Sequence, residues 1–342
     1  MASTESYALK VGERILVTGA NGFIGSTIID LLLSLGYIVR GTVRSEKPWL
    51  NEVFESKYGA GKFESVNVPN LDDKEALEAV LDGVNGVIHV ASDVSFRTNP
   101  GDVINSVVTA VEAVLEAASK VPSVKRVVLT SSSLAAAVPH PGKGSIVLTQ
   151  DTWNELSVKA AWDENTPAES KAFAIYAASK AEGERAAYNW VKKNNPEYTF
   201  NSVLPDWTIG EFLHPNISST GLMTLQLLEG NDAAIKICGS QYTADVKDLA
   251  RLHAIALLDP SIQSERIFGL ATPLIWKDVV DTLRELRPSS EKLVKNAPPA
   301  REGFVDLVPP NRSKELLRSF FGQEDWTTLK DSLHAGITSA GF

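Results

Sequence analysis

Short apolar runs alternate with segments of helical periodicity along most of the chain. The apolar runs, each about as long as a strand, cover residues 14–18, 37–43, 63–68, 86–92, 126–133, 199–204 and 266–271. Apolar positions at helical spacing lie between them, in residues 26–35, 74–81, 103–118 and 174–187. Strands that alternate with helices are typical of a parallel sheet covered on both faces. The pattern predicts an α/β fold with a doubly wound parallel sheet, whose ligands bind at the carboxyl ends of the strands.

The regular alternation of predicted strands and helices is interrupted after the fifth predicted strand and again after Pro205. Residues 134–172 lose regular periodicity, and we predict a long loop there. Helices are expected at 222–228, 244–258, 276–286, 313–321 and 326–337, with an irregular proline-rich stretch at 288–310. We therefore predict a main domain over 11–205, joined by a late strand and helix from 240–272, and a smaller, discontinuous substrate-binding region over 206–239 and 273–342.

A glycine-rich turn follows the first apolar run. It reads Thr18-Gly19-Ala20-Asn21-Gly22-Phe23-Ile24-Gly25 and leads into the first predicted helix. Such glycines allow a tight turn, close approach of the backbone to a pyrophosphate, and close packing of helix on strand. A tight connection that binds nothing is the alternative. The strand before the turn and the helix after it favour a dinucleotide-binding Rossmann domain.

The second predicted strand ends in a cation. A carboxylate at this point would bind the adenosine ribose hydroxyls, whereas the guanidinium of Arg44 matches a 2′-phosphate. Lys47 lies close by in sequence as a second cation. These residues predict NADP(H) as the cofactor. The alternative is a solvated charge at the end of a strand.

Tyr176 and Lys180 are four residues apart in a segment rich in Ala, Glu and Lys. A helix would place the phenol and the ammonium on one face, about 6 Å apart along its axis. Tyr176 could then donate a proton and Lys180 could tune it. The spacing alone arises often by chance, but the fifth predicted strand ends in hydroxyls at 130–133, where a sheet of this kind binds its ligands.

Composition narrows the function classes. The 342 residues are 44% hydrophobic and 22% charged, with a net charge of −9, which disfavours binding to nucleic acid or to an anionic membrane. Cys238 is the single cysteine, so an internal disulfide and a cysteine metal cluster are excluded. The five histidines lack metal-ligand spacing, and no metal is expected. We predict a cytoplasmic protein without a membrane span, a monomer or homodimer that acts on a small molecule.

The order and spacing of these motifs resemble those of the extended short-chain dehydrogenase/reductases. The segments that carry the resemblance are 18–25, 41–44, 89–92, 129–132, 176–180 and 204–205. Within this group the chain is similar to the dihydroflavonol-reductase-like branch, and there to fungal NADPH-dependent aldehyde and ketone reductases. The resemblance extends over residues 11–271 and is weaker beyond.

The resemblance implies roles for individual residues. Ser132, Tyr176 and Lys180 match the catalytic serine, tyrosine and lysine, and Arg44 and Lys47 match contacts to the 2′-phosphate. The other cofactor contacts that it implies are Thr18, Gly19, Asn21, Gly22, Phe23, Ile24, Gly25, Val68, Val90, Ala91, Ser131, Pro205, Thr208 and Ser219, together with Tyr176 and Lys180.

Two positions depart from the family pattern. An acidic residue often precedes the position at the adenine edge, but this chain has Asn67, which leaves the adenine hydrogen bond in question. Many members carry an asparagine on the fourth long helix that helps to hold a proton-relay water. The aligned position here is Thr109, so the usual four-residue relay is incomplete in this prediction.

The expected reaction is hydride transfer from NADPH to a carbonyl carbon, with Tyr176 as proton donor to the oxygen. We expect the Lys180 ammonium to lower the pKa of the phenol. Substrate contacts are predicted in Val94, Phe96, Leu134, Ala135, Phe173, Asp206, Trp207 and Phe212. A mostly apolar wall suits hydrophobic aldehydes and ketones, and Asp206 is either a polar contact or a solvated loop acid.

Two other functions are compatible with the same scaffold. A sugar-nucleotide epimerase or dehydratase would recycle a bound NAD without net consumption of NADPH. An NADP-sensing regulator would bind the cofactor without turnover. Arg44 argues against the first, and the presence of both Tyr176 and Lys180 argues against the second.

Overall fold

The computed structural model describes residues 7–140, 142–214, 217, 219–238, 241–298 and 305–342. In chain order the strands within these residues are β1 (Arg14–Thr18), β2 (Ile38–Val43), β3 (Phe63–Asn67), β4 (Gly86–His89), β5 (Arg126–Thr130), β6 (Ser145–Val147), β7 (Thr199–Pro205), β8 (Trp207–Ile209), β9 (Tyr242–Asp245), β10 (Arg266–Gly269), β11 (Thr272–Pro273) and β12 (Asp306–Val308).

The α-helices follow the same order. They are α1 (Phe23–Ser34), α2 (Pro48–Tyr58), α3 (Lys74–Val80), α4 (Pro100–Ser119), α5 (Glu155–Trp162), α6 (Ala168–Asn194), α7 (Thr220–Leu225), α8 (Ala233–Ile237), α9 (Val246–Leu258), α10 (Trp276–Leu286), α11 (Arg312–Phe321) and α12 (Leu329–Ala340). Two short 3₁₀ turns cover Ser133–Ala135 and Gln226–Glu229. No helix among the described residues has the length and apolar character needed to cross a bilayer.

Seven parallel strands form the central sheet, in the order β3-β2-β1-β4-β5-β7-β10. One face of the sheet is covered by α1, α9 and α11, and the other by α3, α4 and α6. The order reverses between β1 and β4, which opens a crevice at the carboxyl edge. The predicted doubly wound Rossmann fold is confirmed.

Several predicted elements were wrong in extent. The predicted loop 134–172 contains α5 and β6, and the predicted helix 174–187 begins six residues earlier and runs to Asn194. The strand expected over 126–133 ends at Thr130, because the Ser132 hydroxyl accepts a hydrogen bond from Leu134 N and starts a 3₁₀ turn. Helix α2 was not predicted, since it buries only Leu50 and Phe54 and its apolar periodicity is weak.

A second, smaller layer follows the central sheet. Strands β8, β9 and β11 form a three-stranded sheet, and α7, α10 and α12 pack around Trp207 and Trp276, whose rings meet edge to face at 5.5 Å. Helix α11 instead joins the core of the main sheet through Leu317 and Phe320. The division into two regions stays a prediction, and its boundary at residues 239 and 240 lies outside the described residues.

Candidate active site

The turn after β1 is built for close backbone contact. Gly19 has a φ of +70°, and a Cβ atom there would lie 3.1 Å from the backbone of Ala91. A Cβ on Gly25 would come within 2.3 Å of the Gly19 carbonyl oxygen. Helix α1 starts at Phe23 without a side-chain cap. Its first N–H groups therefore remain available for an anion, as a pyrophosphate loop requires.

Thr18 joins the ends of β1 and β4. Its hydroxyl oxygen accepts hydrogen bonds from Val90 N at 3.0 Å and from Ala91 N at 3.1 Å, so its proton points to His89 Nδ1 at 2.8 Å. Burial, with the charge of Lys180 acting in the same direction, lowers the pKa of His89 to about 4. His89 is thus a neutral core histidine, and its hydrogen bond with Thr18 helps to hold the ends of β1 and β4 together.

The end of β2 presents the predicted cations. Arg44 is exposed, and its guanidinium has no hydrogen bond or ion pair within the described part of the chain. Lys47 Nζ donates to Ser45 Oγ at 3.0 Å. When the Asn67 amide is oriented to satisfy its surroundings, its nitrogen donates to the carbonyl oxygens of Val43 at 3.1 Å and Arg44 at 3.0 Å. The residue that departs from the family pattern therefore fastens the backbone of Arg44.

The predicted catalytic residues gather at the carboxyl edge of β5. Ser132 is buried there, and the 3₁₀ turn that follows it packs against α6. Tyr176 is half-buried on α6, and Lys180 Nζ lies 5.7 Å from the centre of its ring. The structure thus brings the turn that begins at Ser132 to the helix that carries Tyr176 and Lys180.

The pKa values of the pair differ from the expectation. Burial, together with the charge of Asp206, raises the pKa of Tyr176 to about 12. Burial lowers the pKa of Lys180 to about 8, although the charges of Glu184 and Asp93 oppose this shift. The predicted lowering of the tyrosine pKa was wrong, because desolvation of the phenolate and the Asp206 charge both raise it. Tyr176 is accordingly a protonated donor at neutral pH.

Glu184 and Arg266 form a buried ion pair near Lys180, and the Glu184 charge favours the charged form of the lysine. The sequence analysis predicted neither residue. Glu184 lies one turn after Lys180 on α6, and its carboxylate accepts hydrogen bonds from the buried Arg266 guanidinium at 2.8 and 3.1 Å. The guanidinium also lies 4.0 Å from the centre of the Trp153 ring. The sequence signal for Glu184 was its position four residues after Lys180, where opposite charges on a helix interact.

The predicted substrate residues separate into two groups. Phe96 is exposed, has a φ of +52°, and its ring lies 4.8 Å from that of Tyr176. Three further predicted substrate residues are accessible to solvent: Val94 is exposed, and Phe173 and Asp206 are half-buried. By contrast, Leu134, Ala135, Trp207 and Phe212 are buried, which makes them supports of a pocket wall.

The buried side chains have identifiable partners. Trp207 Nε1 donates to Thr224 Oγ1 at 2.9 Å, and Phe212 stacks on Phe23 at 4.6 Å. Phe212 therefore links the loop after β8 to the start of α1. Direct contact of these two rings with a substrate, as predicted, would require them to leave the core.

The positions predicted for the nicotinamide end lie close together around β7 and β8. Pro205 ends β7, the Thr208 hydroxyl donates to Asp206 O at 3.1 Å, and Ser219 caps α7 by accepting from Leu222 N. Val68, at the predicted adenine edge, is buried and donates its N–H to Val43 O at 2.8 Å. Their contacts with a cofactor stay predictions.

Thr109, the position aligned with the relay asparagine, is exposed on α4. Val107 and Val111, which are buried on the same helix, are apolar. The incomplete relay stays a prediction. Within the described residues, no group of three or more His, Cys, Asp or Glu side chains is placed to hold a metal ion.

A parallel sheet of this strand order, with a glycine turn at its switch point and Ser, Tyr and Lys at its carboxyl edge, defines a dinucleotide-binding Rossmann protein of the short-chain dehydrogenase/reductase type. The chain belongs to the NAD dependent epimerase/dehydratase family, whose model matches residues 15–271. Nicotinamide dinucleotides are the cofactors of this family. The resemblance inferred from the motifs is confirmed.

Similar proteins include several reductases. The chain is 43% identical over 342 residues to the ketoreductase adrE of Penicillium rubens, covering 98% of this chain and 99% of the relative. It is 35% identical to aldehyde reductase 2 of Sporidiobolus salmonicolor over 97% of both chains. The solved structure of yeast methylglyoxal/isovaleraldehyde reductase Gre2 complexed with NADPH has a TM-score of 0.77 at 25% identity, covering 96% of this chain and 98% of that one.

Proposed function

We propose that this protein reduces aldehydes and ketones to alcohols with NADPH, and that Tyr176 donates the proton. The proposal rests on one observation: α6 holds a protonated phenol and an ammonium one turn apart, packed against the hydroxyl-bearing end of β5. The names of the relatives, a ketoreductase and an aldehyde reductase, support the same chemistry.

The residues present fit a nicotinamide dinucleotide. The turn at Gly19 has a positive φ and approaches Ala91 closely, which disfavours a side chain there, and the N–H groups at the uncapped start of α1 can donate to phosphate oxygens. Arg44, whose guanidinium is exposed and unpaired among the described residues, would take the 2′-phosphate that distinguishes NADPH from NADH. The NADPH complex of Gre2 supports this choice.

The chain's own groups would carry out the proton half of the reaction. The cofactor supplies a hydride to the carbonyl carbon when bound. Ser132 would orient the carbonyl oxygen, and the Tyr176 hydroxyl would give its proton to that oxygen as negative charge develops there. Lys180 would hold the nicotinamide ribose and stabilise the phenolate left on Tyr176. These roles need Tyr176 protonated and Lys180 charged, which their pKa values provide at neutral pH.

The test is a panel of aromatic aldehydes and keto esters, followed by NADPH absorbance with NADH in parallel. We expect consumption of NADPH with several of them, and a loss of at least 100-fold in kcat for Tyr176→Phe. Tyr198→Phe is the control, because the hydroxyl of this buried tyrosine donates to Leu115 O on α4, in the core beneath the sheet.

Three results would contradict the proposal. A protein that retains NAD on purification and turns over without net NADPH use would be an epimerase or dehydratase. Binding of NADPH without reduction of any carbonyl would indicate a sensor. An undiminished rate in Tyr176→Phe would remove this residue from the mechanism.

A further inference from the structure

Asp206 is an acidic residue at the site that the proposed mechanism does not use. It lies between β7 and β8 and is half-buried. Its Oδ2 accepts a hydrogen bond from Tyr242 N at 3.0 Å, and the N–H of Trp207 also stabilises its charge. No cation among the described residues forms an ion pair with it. A desolvated carboxylate without a cation is costly, so a donor from outside the chain would complete it.

Ser133 adds a second sign of an incomplete polar site. Its hydroxyl is buried, with 1% of the residue exposed, and it forms no hydrogen bond of good geometry within the described chain. Buried polar groups are rarely left in that state. Ser133 directly follows the predicted catalytic serine, so this hydroxyl and the Asp206 carboxyl belong to the same edge of the sheet.

Tyr176 is near both this polar pair and an apolar surface. The Asp206 charge is close enough to raise the pKa of the phenol. The Phe96 ring packs 4.8 Å from the Tyr176 ring, and Val94 beside it is exposed. A molecule whose carbonyl reaches the Tyr176 hydroxyl would therefore have both hydrocarbon and an acceptor within reach.

We propose that Asp206 is a specificity residue that selects carbonyl substrates carrying a hydroxyl group near the carbonyl on an otherwise apolar body. This inference rests on the proposed function. The substrate hydroxyl would donate to the Asp206 oxygen that does not bind Tyr242. A substrate with an ether oxygen in that place could only accept, and its lone pairs would face the carboxylate. Discrimination of this kind is large, because an unmatched polar group is left buried.

The selection is expected to depend on pH. Burial raises the pKa of Asp206 to about 7, so its ionised form grows between pH 6 and pH 8. The titratable groups that act on it are Tyr176 from α6 and Tyr242 from β9, and burial raises the pKa of both phenols, which keeps them neutral. A hydrogen bond to a charged acceptor is stronger than one to a neutral acceptor. Preference for the hydroxyl substrate therefore rises with pH.

The experiment compares three aryl ketones that differ at one place: a hydroxyl two carbons from the carbonyl, its methyl ether, and the parent hydrocarbon. We expect kcat/KM of the wild type to favour the hydroxyl compound over the ether by about tenfold at pH 8, and by less at pH 6. In Asp206→Asn, whose amide oxygen can still accept from Tyr242 N, the preference falls below about threefold and loses its pH dependence.

The outcomes separate this inference from the proposed function. Equal use of the three ketones by the wild type would overturn the role of Asp206 while leaving carbonyl reduction intact, and so would an unchanged preference in Asp206→Asn. Failure of the wild type to reduce any of the three, or the aldehydes of the first panel, would overturn the proposed function itself. Thermal unfolding of the variant, matched to wild type, shows that the fold is retained.

Discussion

At the scale of single residues, the proposed proton transfer requires the charge of Lys180. Its pKa, lowered from the ordinary value of 10.5 to about 8, means that the ammonium is complete below pH 7 and is lost as the pH rises past 8. Tyr176, with a pKa of about 12, remains protonated throughout this range. The descending limb of a rate profile for reduction should therefore belong to the lysine.

We expect kcat/KM for NADPH, which reports the free enzyme, to fall about tenfold per pH unit above pH 8. Lys180→Arg keeps a charged group at higher pH, so its profile, scaled to its own plateau, should remain flat to at least pH 9. Initial rates from pH 6 to pH 10 measure both. A limb near pH 8 that persists in Lys180→Arg would assign it to another group.

Asn67 holds the backbone of Arg44, the residue proposed to bind the 2′-phosphate. Its amide nitrogen donates to two carbonyls at the end of β2, and a carboxylate there could donate to neither. Asn67→Asp should therefore weaken NADPH binding about 30-fold, because two hydrogen bonds of about 1 kcal/mol each are lost. Fluorescence titration with NADPH measures the affinity.

The matched control for this change is Asn51→Asp. It adds the same charge on the neighbouring helix α2, but Asn51 faces Ser65, whose hydroxyl can turn and donate to a carboxylate. NADPH affinity should then change by less than threefold. An equal loss in both variants would mean that added charge, and not the anchoring of the Arg44 backbone, weakens binding.

At the scale of elements, the Glu184 and Arg266 pair ties α6 to β10 beneath Lys180. Both side chains are nearly inaccessible, so removal of one partner leaves a buried charge without compensation, at a cost of about 3–5 kcal/mol. Glu184→Gln should lower the unfolding temperature and, because Lys180 loses a favourable charge, move the descending limb of the rate profile below pH 8. Scanning calorimetry and the pH profile check the two effects.

Glu182→Gln provides the comparison on the same helix. Glu182 pairs with Arg185 at 2.5 Å, but both side chains are more than a quarter exposed. Pairs of this kind contribute about 0–1 kcal/mol, so neither the unfolding temperature nor the pH limb should move appreciably. If the descending limb of the rate profile stays at pH 8 in Glu184→Gln, the ion pair stabilises the fold but does not act on the pKa of Lys180.

The elements that could be predicted are those with strong apolar periodicity. Helix α10 has the predicted bounds because four of its apolar residues are buried on one face, whereas α2 and α5 escaped prediction because each buries only two residues. The glycine turn and the Tyr176 helix were found because their chemistry depends on local spacing. Whether Thr109 takes part in a proton relay could not be predicted, since which side of α4 faces α6 is set by packing between the two helices.

At the scale of the whole molecule, the net charge bears on how the protein would distinguish NADPH from NADH. The chain carries a net charge of −9, and a dinucleotide phosphate is itself an anion, so long-range attraction contributes little. Selection between NADPH and NADH must then come from local contacts at the end of β2, where Arg44 is exposed. Such a preference should be visible in the stability of the entire fold, because a ligand that binds only the native state raises its unfolding temperature.

NADPH at 100 times its dissociation constant should stabilise the protein by about 2.7 kcal/mol, which corresponds to roughly 4 °C for a chain of this length. NADH at the same concentration should give a clearly smaller shift. In Arg44→Ser the two shifts in unfolding temperature should become equal, because the guanidinium that distinguishes the cofactors is gone. Arg40→Ser is the control and should keep the difference, because the Arg40 guanidinium is already bonded to Glu64 and to backbone carbonyls. Equal shifts in the wild type would reassign the cofactor to NAD(H) and make Arg44 a solvated charge at a strand end.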